Sequence, residues 1–285
     1  MSRDLGLSSV GSVDHPKSAA AHLRRRRPAL KGLGRKLSLV APAAAGLGLF
    51  ALVWQLVALH NSEFLPRIGA IWQELSTSPG KYLSNGRVTL EEMAVGLLAS
   101  FVAAFVLAVA MVHVRTVERA VMPLAVILNV TPVVSLAPGL SIALGVGLSP
   151  RFLVTTLICF FPWLVNALVG LRSVDPEAVD FLRSLNASRL EVLLRLRLPS
   201  CLPFLFAAAR VCFPLAVVGA VVAEFSTSGP GQGLGSLISI GANTNYWSEV
   251  YASIFCLALL GLVLTLVVTT AERRLLVWHP ARANR

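Results

Sequence analysis

Apolar residues in this chain neither alternate nor recur on a single helical stripe; they gather into runs long enough to cross a bilayer. A spanning helix needs about 20 predominantly apolar residues. Six segments qualify, at about 39–59, 93–113, 121–148, 152–171, 201–223 and 250–270. The third carries Pro123, Pro132 and Pro138 with Asn129 and Thr131, so it is expected to be kinked or locally broken. Broken backbone at membrane depth persists where protein buries it or where it lines a wet cavity. The second and fifth runs, AVGLLASFVAAFVLAVA and FAAARVCFPLAVVGAVVA, are rich in small residues that let helices approach closely.

The polar stretches between these runs carry their own pattern. Residues 1–37 read as a basic, disordered tail ending in Arg24–Arg27, Lys31, Arg35 and Lys36, and 280–285 as a short second tail. The apolar run after the first tail is longer than a signal-peptide core and has no clear small-residue cleavage site, so it reads as a retained span. The longest later interruption is Leu171–Pro203, LRSVDPEAVDFLRSLNASRLEVLLRLRLPSCLP. Pro176 suits the first turn of a helix, and Asp175, Glu177 and Asp180 suit its positive N-terminal end. Asn186 tolerates left-handed backbone, so the segment 172–199 predicts a helix–turn–helix held between two spans and presented to something soluble. Two further segments stand out. Within His60–Leu90, FLPRIGAIWQEL predicts a short interfacial helix with Ile68, Ile71, Trp72 and Leu75 as its apolar face. Ser226–Glu249 is glycine-rich, has no Lys or Arg, and reads as a re-entrant or surface element.

Composition fixes the class. The chain has 285 residues, 55% of them hydrophobic and 14% charged, against about 25% charged in soluble domains. Its mean hydropathy is +0.73. This is an all-α integral membrane protein of about six spans. The net charge of +11 invites a nucleic-acid reading, but its distribution follows topology instead. With both termini inside, 20 of the 25 Lys and Arg fall on the inner side, leaving Arg67, Lys81, Arg87 and Arg151 outside and Arg210 within a span. The positive-inside tendency and anionic lipid headgroups account for that asymmetry. Trp54, Trp72, Trp163, Trp247 and Trp278 read as interfacial or core aromatics.

The chemistry-bearing residues exclude more than they suggest. Cys159, Cys201, Cys212 and Cys256 lie in apolar spans without short pairing and read as buried, inert thiols. The five histidines have no metal-ligand spacing, and HExxH, GxSxG and GxxxxGK[ST] are absent. The last absence means that this chain cannot bind ATP by a P-loop of its own.

The 172–199 segment resembles the EAA-x3-G-x9-I-x-L-P signature of permease subunits in binding-protein-dependent ABC importers. Asp180, Phe181 and Leu182 take the EAA place, Asn186 the glycine place, Leu196 the isoleucine place, and Leu198 and Pro199 close it. The spacing is kept, while two small alanines become Phe181 and Leu182. FLPRIGAIWQEL, GVGLSP, RSVDPE, LNASR, VVAE, GLGSLI and ERRLLVWH resemble the nitrate/sulfonate/taurine/bicarbonate-type subfamily, over roughly residues 37–279. The resemblance implies a type I importer permease fold, a dimer of permeases, two ATPase subunits carrying ATP and Mg, an outer solute-binding protein, and no cofactor or catalysis on this chain. It places the chain in a bacterial inner membrane. It also implies that Asp180, Phe181, Leu182, Arg183, Asn186, Ala187, Arg189, Leu198 and Pro199 form the element that couples to the ATPase. The substrate expected from that subfamily is a small anion or organosulfonate.

Candidate pathway residues carry two readings each. Arg210, about 13 Å into its span at 1.5 Å per residue, either faces an anionic substrate or pairs with carbonyls or an acid near one membrane interface. Asn129, Thr131, Ser135 and Asn166 either line a pathway or satisfy carbonyls freed by the prolines. Glu224 either contacts a binding protein or faces water. A self-sufficient transporter is the rival class, and it calls for intramembrane carboxylates or His relays; by this reading only the terminal Glu224 qualifies. A scaffold or sensor docking a non-ATPase partner is the other rival, and the proline-broken third span speaks against it.

Overall fold

The computed structural model describes residues 29–61, 63–145, 148–226 and 233–276, with side chains from residue 41 onward. Every regular element among them is helical. Most of the expected tail 1–37, the tail 280–285, part of the glycine-rich 227–232 stretch and Trp278 lie outside the described residues. The chain divides into two units at Val57/Ala58. The first contains most of α1, Ala29–His60. This helix starts well before the expected span and includes positions 29–37, assigned above to the disordered tail. Lys, Arg and Leu are good helix formers and extend the turn outward from the apolar run.

The second unit is built on α3 (Pro79–His113), α6 (Leu148–Arg172) and α9 (Leu198–Ser226), with α6 packed along both of the others. Small side chains set the spacing. A Cβ on Gly96 of α3 would lie 2.6 Å from Thr155 Cβ of α6, and one on Gly170 would lie 2.7 Å from Cys201 Sγ of α9. A Cβ on Gly219 would come within 3.0 Å of Thr155 Cα. Ala104, Ala108, Ala208, Ala216 and Ala220 are buried along the same seams. Cys159 and Cys212 sit across the α6–α9 contact, each thiol donating to the other's carbonyl at 3.4 and 3.6 Å. In lipid, where apolar association between helices is weak, such close packing is the main source of cohesion. Leu98, Val102 and Val106 on the outside of α3 are exposed, as suits a lipid-facing surface.

Helix boundaries differ from the expected span bounds, while the break expected in the third span is present. The second span was placed at 93–113, but α3 runs for 35 residues from Pro79, which occupies the favourable first turn. At 1.5 Å per residue it measures about 52 Å, well beyond the ~30 Å hydrocarbon core. Only Val114 separates α3 from α4 (Arg115–Val130). The third span is two helices, α4 and α5 (Val133–Leu144), meeting at 101° across Thr131 and Pro132. Proline lacks an N–H, and the residue before it is pushed to extended backbone; Thr131 has φ −68° and ψ 127°. Counting that pair as one span, the described helices provide up to six.

At the opposite end from 172–197, α2 (Ile68–Thr77), α10 (Leu234–Asn243) and α11 (Trp247–Leu275) close over α3. The expected apolar face of α2 divides. Ile71 and Leu75 pack against Tyr82, Leu234 and Leu237, while Ile68 and Trp72 are exposed. Glu74 of α2 accepts from the Tyr82 hydroxyl at 3.0 Å and from that of Tyr246, and this bond pushes the Tyr246 phenol pKa up. The glycine-rich segment, read as a re-entrant or surface element, contributes a short helix, α10, whose first turn is buried.

Close packing at glycine yields a direct test. Gly96→Val should destabilise the detergent-solubilised protein by about 1–3 kcal/mol, the usual range for overpacking, because the added methyls meet Thr155. Gly69→Ala, with open space around it, should leave the thermal melting midpoint unchanged within error.

Candidate functional site

The 172–197 segment folds from purely local signals. Asp175 caps α7 (Pro176–Ser184), its carboxylate accepting from the Glu177 N–H at 2.9 Å. Asn186 follows at φ 58°, its N–H donating to the Arg183 carbonyl and that of Ala187 to Leu182, which closes the turn. Ser188 and Glu191 then form a capping box: Glu191 Oε2 accepts from the Ser188 N–H at 2.8 Å, and the Ser188 hydroxyl accepts from the Glu191 N–H at 3.2 Å. That opens α8 (Arg189–Val192), which passes through a π turn at Leu193–Arg197 directly into α9. Val179 and Val192 are buried beneath the segment. Arg172 makes a two-pronged pair with Glu118 of α4, at 2.8 and 2.6 Å. The helical pair is thus joined to two long helices and clamped to a third.

Its exposed surface is unusually apolar. Phe181 and Leu185 are each more than 60% exposed, as is Leu190. The first two lie four residues apart and share one face of α7. Asp180 and Arg183 flank them at 3.4 Å, and Arg195 lies 3.9 Å from Glu191. Leu182 and Ala187 are half-buried, Asn186 and Arg189 exposed, and Leu198 and Pro199 form the start of α9. These residues are brought together in one compact element.

The pathway candidates are not brought together. Arg210 is half-exposed and forms an ion pair with Glu272 of α11. Asn166 Nδ2 donates to the Pro162 carbonyl at 2.8 Å, capturing an acceptor beside a mid-helix proline. Thr131 Oγ1 donates to the Ile127 carbonyl at 2.8 Å beside the α4–α5 break. Asn129 and Ser135 are exposed on α4 and α5.

A buried polar knot was not foreseen from sequence. Glu224, near the end of α9, is 2% exposed and accepts from Thr89 Oγ1 at 2.7 Å, from the Gly235 N–H, and from the Ser236 N–H at 3.1 Å. The Leu234 N–H donates to Thr89 Oγ1 at 2.9 Å. Glu224 and Thr89 together satisfy the first-turn donors of α10, which no solvent can reach. Gly233 is required there: a Cβ would lie 2.1 Å from Glu224 Oε1. Beside it Arg151, 1% exposed, pairs with Glu92 at 2.8 Å. Glu224 was expected either to contact a binding protein or to face water; it is instead buried, as is Arg151, because each is matched to polar partners on other helices. The signal available was chemical: acids and a cation set inside or against apolar runs demand partners.

With this geometry in hand, known proteins can be compared. Residues 96–277 match the family described as the binding-protein-dependent transport system inner membrane component. The chain belongs to this family. Among its relatives, the formylaminopyrimidine transport permease ThiX of Halalkalibacterium halodurans is 31% identical over 80% of this chain and 92% of its own length. The taurine transport permease TauC of Escherichia coli is 26% identical over 82% of this chain and 88% of its own. The MetNI methionine ABC transporter in an inward-facing conformation shares the fold, with a TM-score of 0.59 and 16% identity over 68% of this chain and 95% of its own. The chain is therefore an ABC importer permease for small solutes, a multi-pass inner-membrane protein. The broken α4–α5 span and the capped pair at 172–197 are its two departures from a plain helical bundle.

The Glu92–Arg151 pair supplies the test of the knot. Removing either partner alone strands a buried charge, at about 3–5 kcal/mol. Glu92→Met and Arg151→Met should each abolish stable, monodisperse protein in detergent, and the double variant should recover part of the lost thermal stability. Additive losses would show that the two side chains act independently.

Proposed function

We propose that this permease moves its solute when a separate ATPase subunit pushes on the α7–α8 pair. The observation that carries this reading is a doubly capped element with exposed Phe181 and Leu185, three residues from the end of α6 on one side and running through a π turn into α9 on the other. Docking is assigned to Asp180, Phe181, Leu182, Arg183, Asn186, Ala187 and Arg189, with Leu198 and Pro199 passing the motion into α9. A groove on the ATPase closing around Phe181 would tilt both helices together, biasing a two-state equilibrium between inward- and outward-facing forms. ATP and Mg sit on two such ATPase subunits, no catalysis falls to this chain, two copies of the permease form one pathway, and a solute-binding protein delivers the cargo. Both termini face the ATPase side, in keeping with the basic residues at that end of the spans.

The substrate expected from the subfamily is a small anion or organosulfonate such as taurine, nitrate or bicarbonate. A second reading, a nitrogen heterocycle, is favoured by the higher identity to the formylaminopyrimidine permease than to the taurine permease. The pairing of Arg210 with Glu272 also removes the cation that an anion pathway would use. Selectivity rests chiefly with the binding protein, since a pathway needs only weak sites.

Asn186→Leu tests the coupling assignment. A branched side chain at φ 58° costs about 1–2 kcal/mol and should deform the turn, lowering coupled uptake in proteoliposomes at least tenfold while membrane insertion stays intact. Asn186→Gly should retain uptake. Equal uptake by the leucine variant would sink the assignment.

A further inference from the structure

Beneath the α7–α8 pair lies a cavity of about 200 Å³ lined by His113, the last residue of α3, and by Arg183, Arg189 and Arg197. A water takes about 30 Å³ of liquid, so the space admits a phosphate-sized anion with several waters. No carboxylate lines it. Arg183 and Arg197 also line an adjoining cavity of about 260 Å³ with Arg172 and Asp180. The nearby acids are committed elsewhere: Glu118 to Arg172, Glu191 to the capping box, and Asp180 to Arg183 at 3.4 Å. Among the described residues, Arg189 and Arg197 have no acidic partner. Arg197 is half-buried, and the charges acting on it are two more guanidiniums, Arg183 and Arg172. His113 Nδ1 is engaged with the Val109 carbonyl at 2.8 Å, leaving Nε2 as the ring's remaining polar atom.

Like charges held together around a hollow are unfavourable until an anion occupies it. Guanidiniums present paired donors that match phosphate oxygens. The cavity lies where α3 ends at His113 and α9 begins at Leu198. Arg183, Ala187 and Arg189 line it and also belong to the surface assigned to the ATPase, while Phe181 at the centre of that surface lies about 200° around α7 from Arg183.

We propose that this cavity binds a phosphate group, so that α3, α7 and α9 are bridged by an anion that belongs to neither the permease nor its ATPase. Its source is either the headgroup of an anionic phospholipid or a free phosphate compound. With two unpaired arginines contributing, each worth about fivefold in attraction to an anionic headgroup, loss of both should weaken binding by about 25-fold.

The full permease–ATPase complex, released into detergent, is analysed by native mass spectrometry after incubation with phosphatidylglycerol or phosphatidylcholine. The wild type should retain phosphatidylglycerol preferentially, and R189Q/R197Q should lower that retention by about 25-fold. R115Q/R119Q, with the same charge change outside the cavity, should keep it. Displacement of the lipid by millimolar inorganic pyrophosphate would identify a free phosphate compound as the occupant; resistance to it identifies the headgroup. Equal retention in all proteins, or equal loss in both variants, would overturn the proposal in favour of diffuse surface charge. Unchanged lipid with loss of the ATPase from R189Q/R197Q would overturn it in favour of a carboxylate of the ATPase. Should R189Q/R197Q not assemble, photoactivatable phosphatidylglycerol on the wild type decides: crosslinks at 183–197 support the site, and crosslinks only on the apolar spans refute it.

Discussion

Hydrocarbon offers no partner to a polar group, and that single constraint organises the fold. Each unsatisfied donor or acceptor in lipid costs several kcal/mol, so irregular backbone and charge survive only where protein supplies the missing bond. Glu224 and Thr89 perform that service for the first turn of α10. Glu92 does so for Arg151, while Asn166 and Thr131 satisfy their own side-chain donors on carbonyls one turn back in their helices. The remaining cohesion comes from van der Waals contact, which is why Gly96, Gly170 and Gly219 sit where α3, α6 and α9 touch.

These two devices divide the molecule by role. The α3–α6–α9 core is tight and changes little without clashes, so motion is carried by whole helices. The α4–α5 break and the α7–α8 pair lie at its margins, where backbone direction changes sharply. The α7–α8 pair runs through the π turn into α9, lies three residues from the end of α6, and is tied at its start to α4 by Arg172 and Glu118.

What could be read from sequence was local. The turn at Asn186, the cap at Asp175 and the proline break in the third span each depend on neighbours within a few residues, and all three appear in the structure. The polar knot depends on pairs 59 and 135 residues apart, beyond the reach of any window. Helix ends were misplaced at 79 and 115 because hydropathy marks the membrane boundary, whereas helices continue past it until a cap or an extended residue such as Val114 stops them. The inward turn of Ile71 and outward turn of Trp72 likewise depend on which neighbours α2 meets.

The central claim is that the exposed face of α7 is driven by a separate ATP-hydrolysing subunit. A photoactivatable amino acid placed at Phe181, in membranes of the native host, tests it most directly. The expected result is a crosslink to an ATPase from position 181, modulated by ATP, and none from the lipid-facing position Val106. A crosslink to no protein, or to one without ATPase activity, would contradict it.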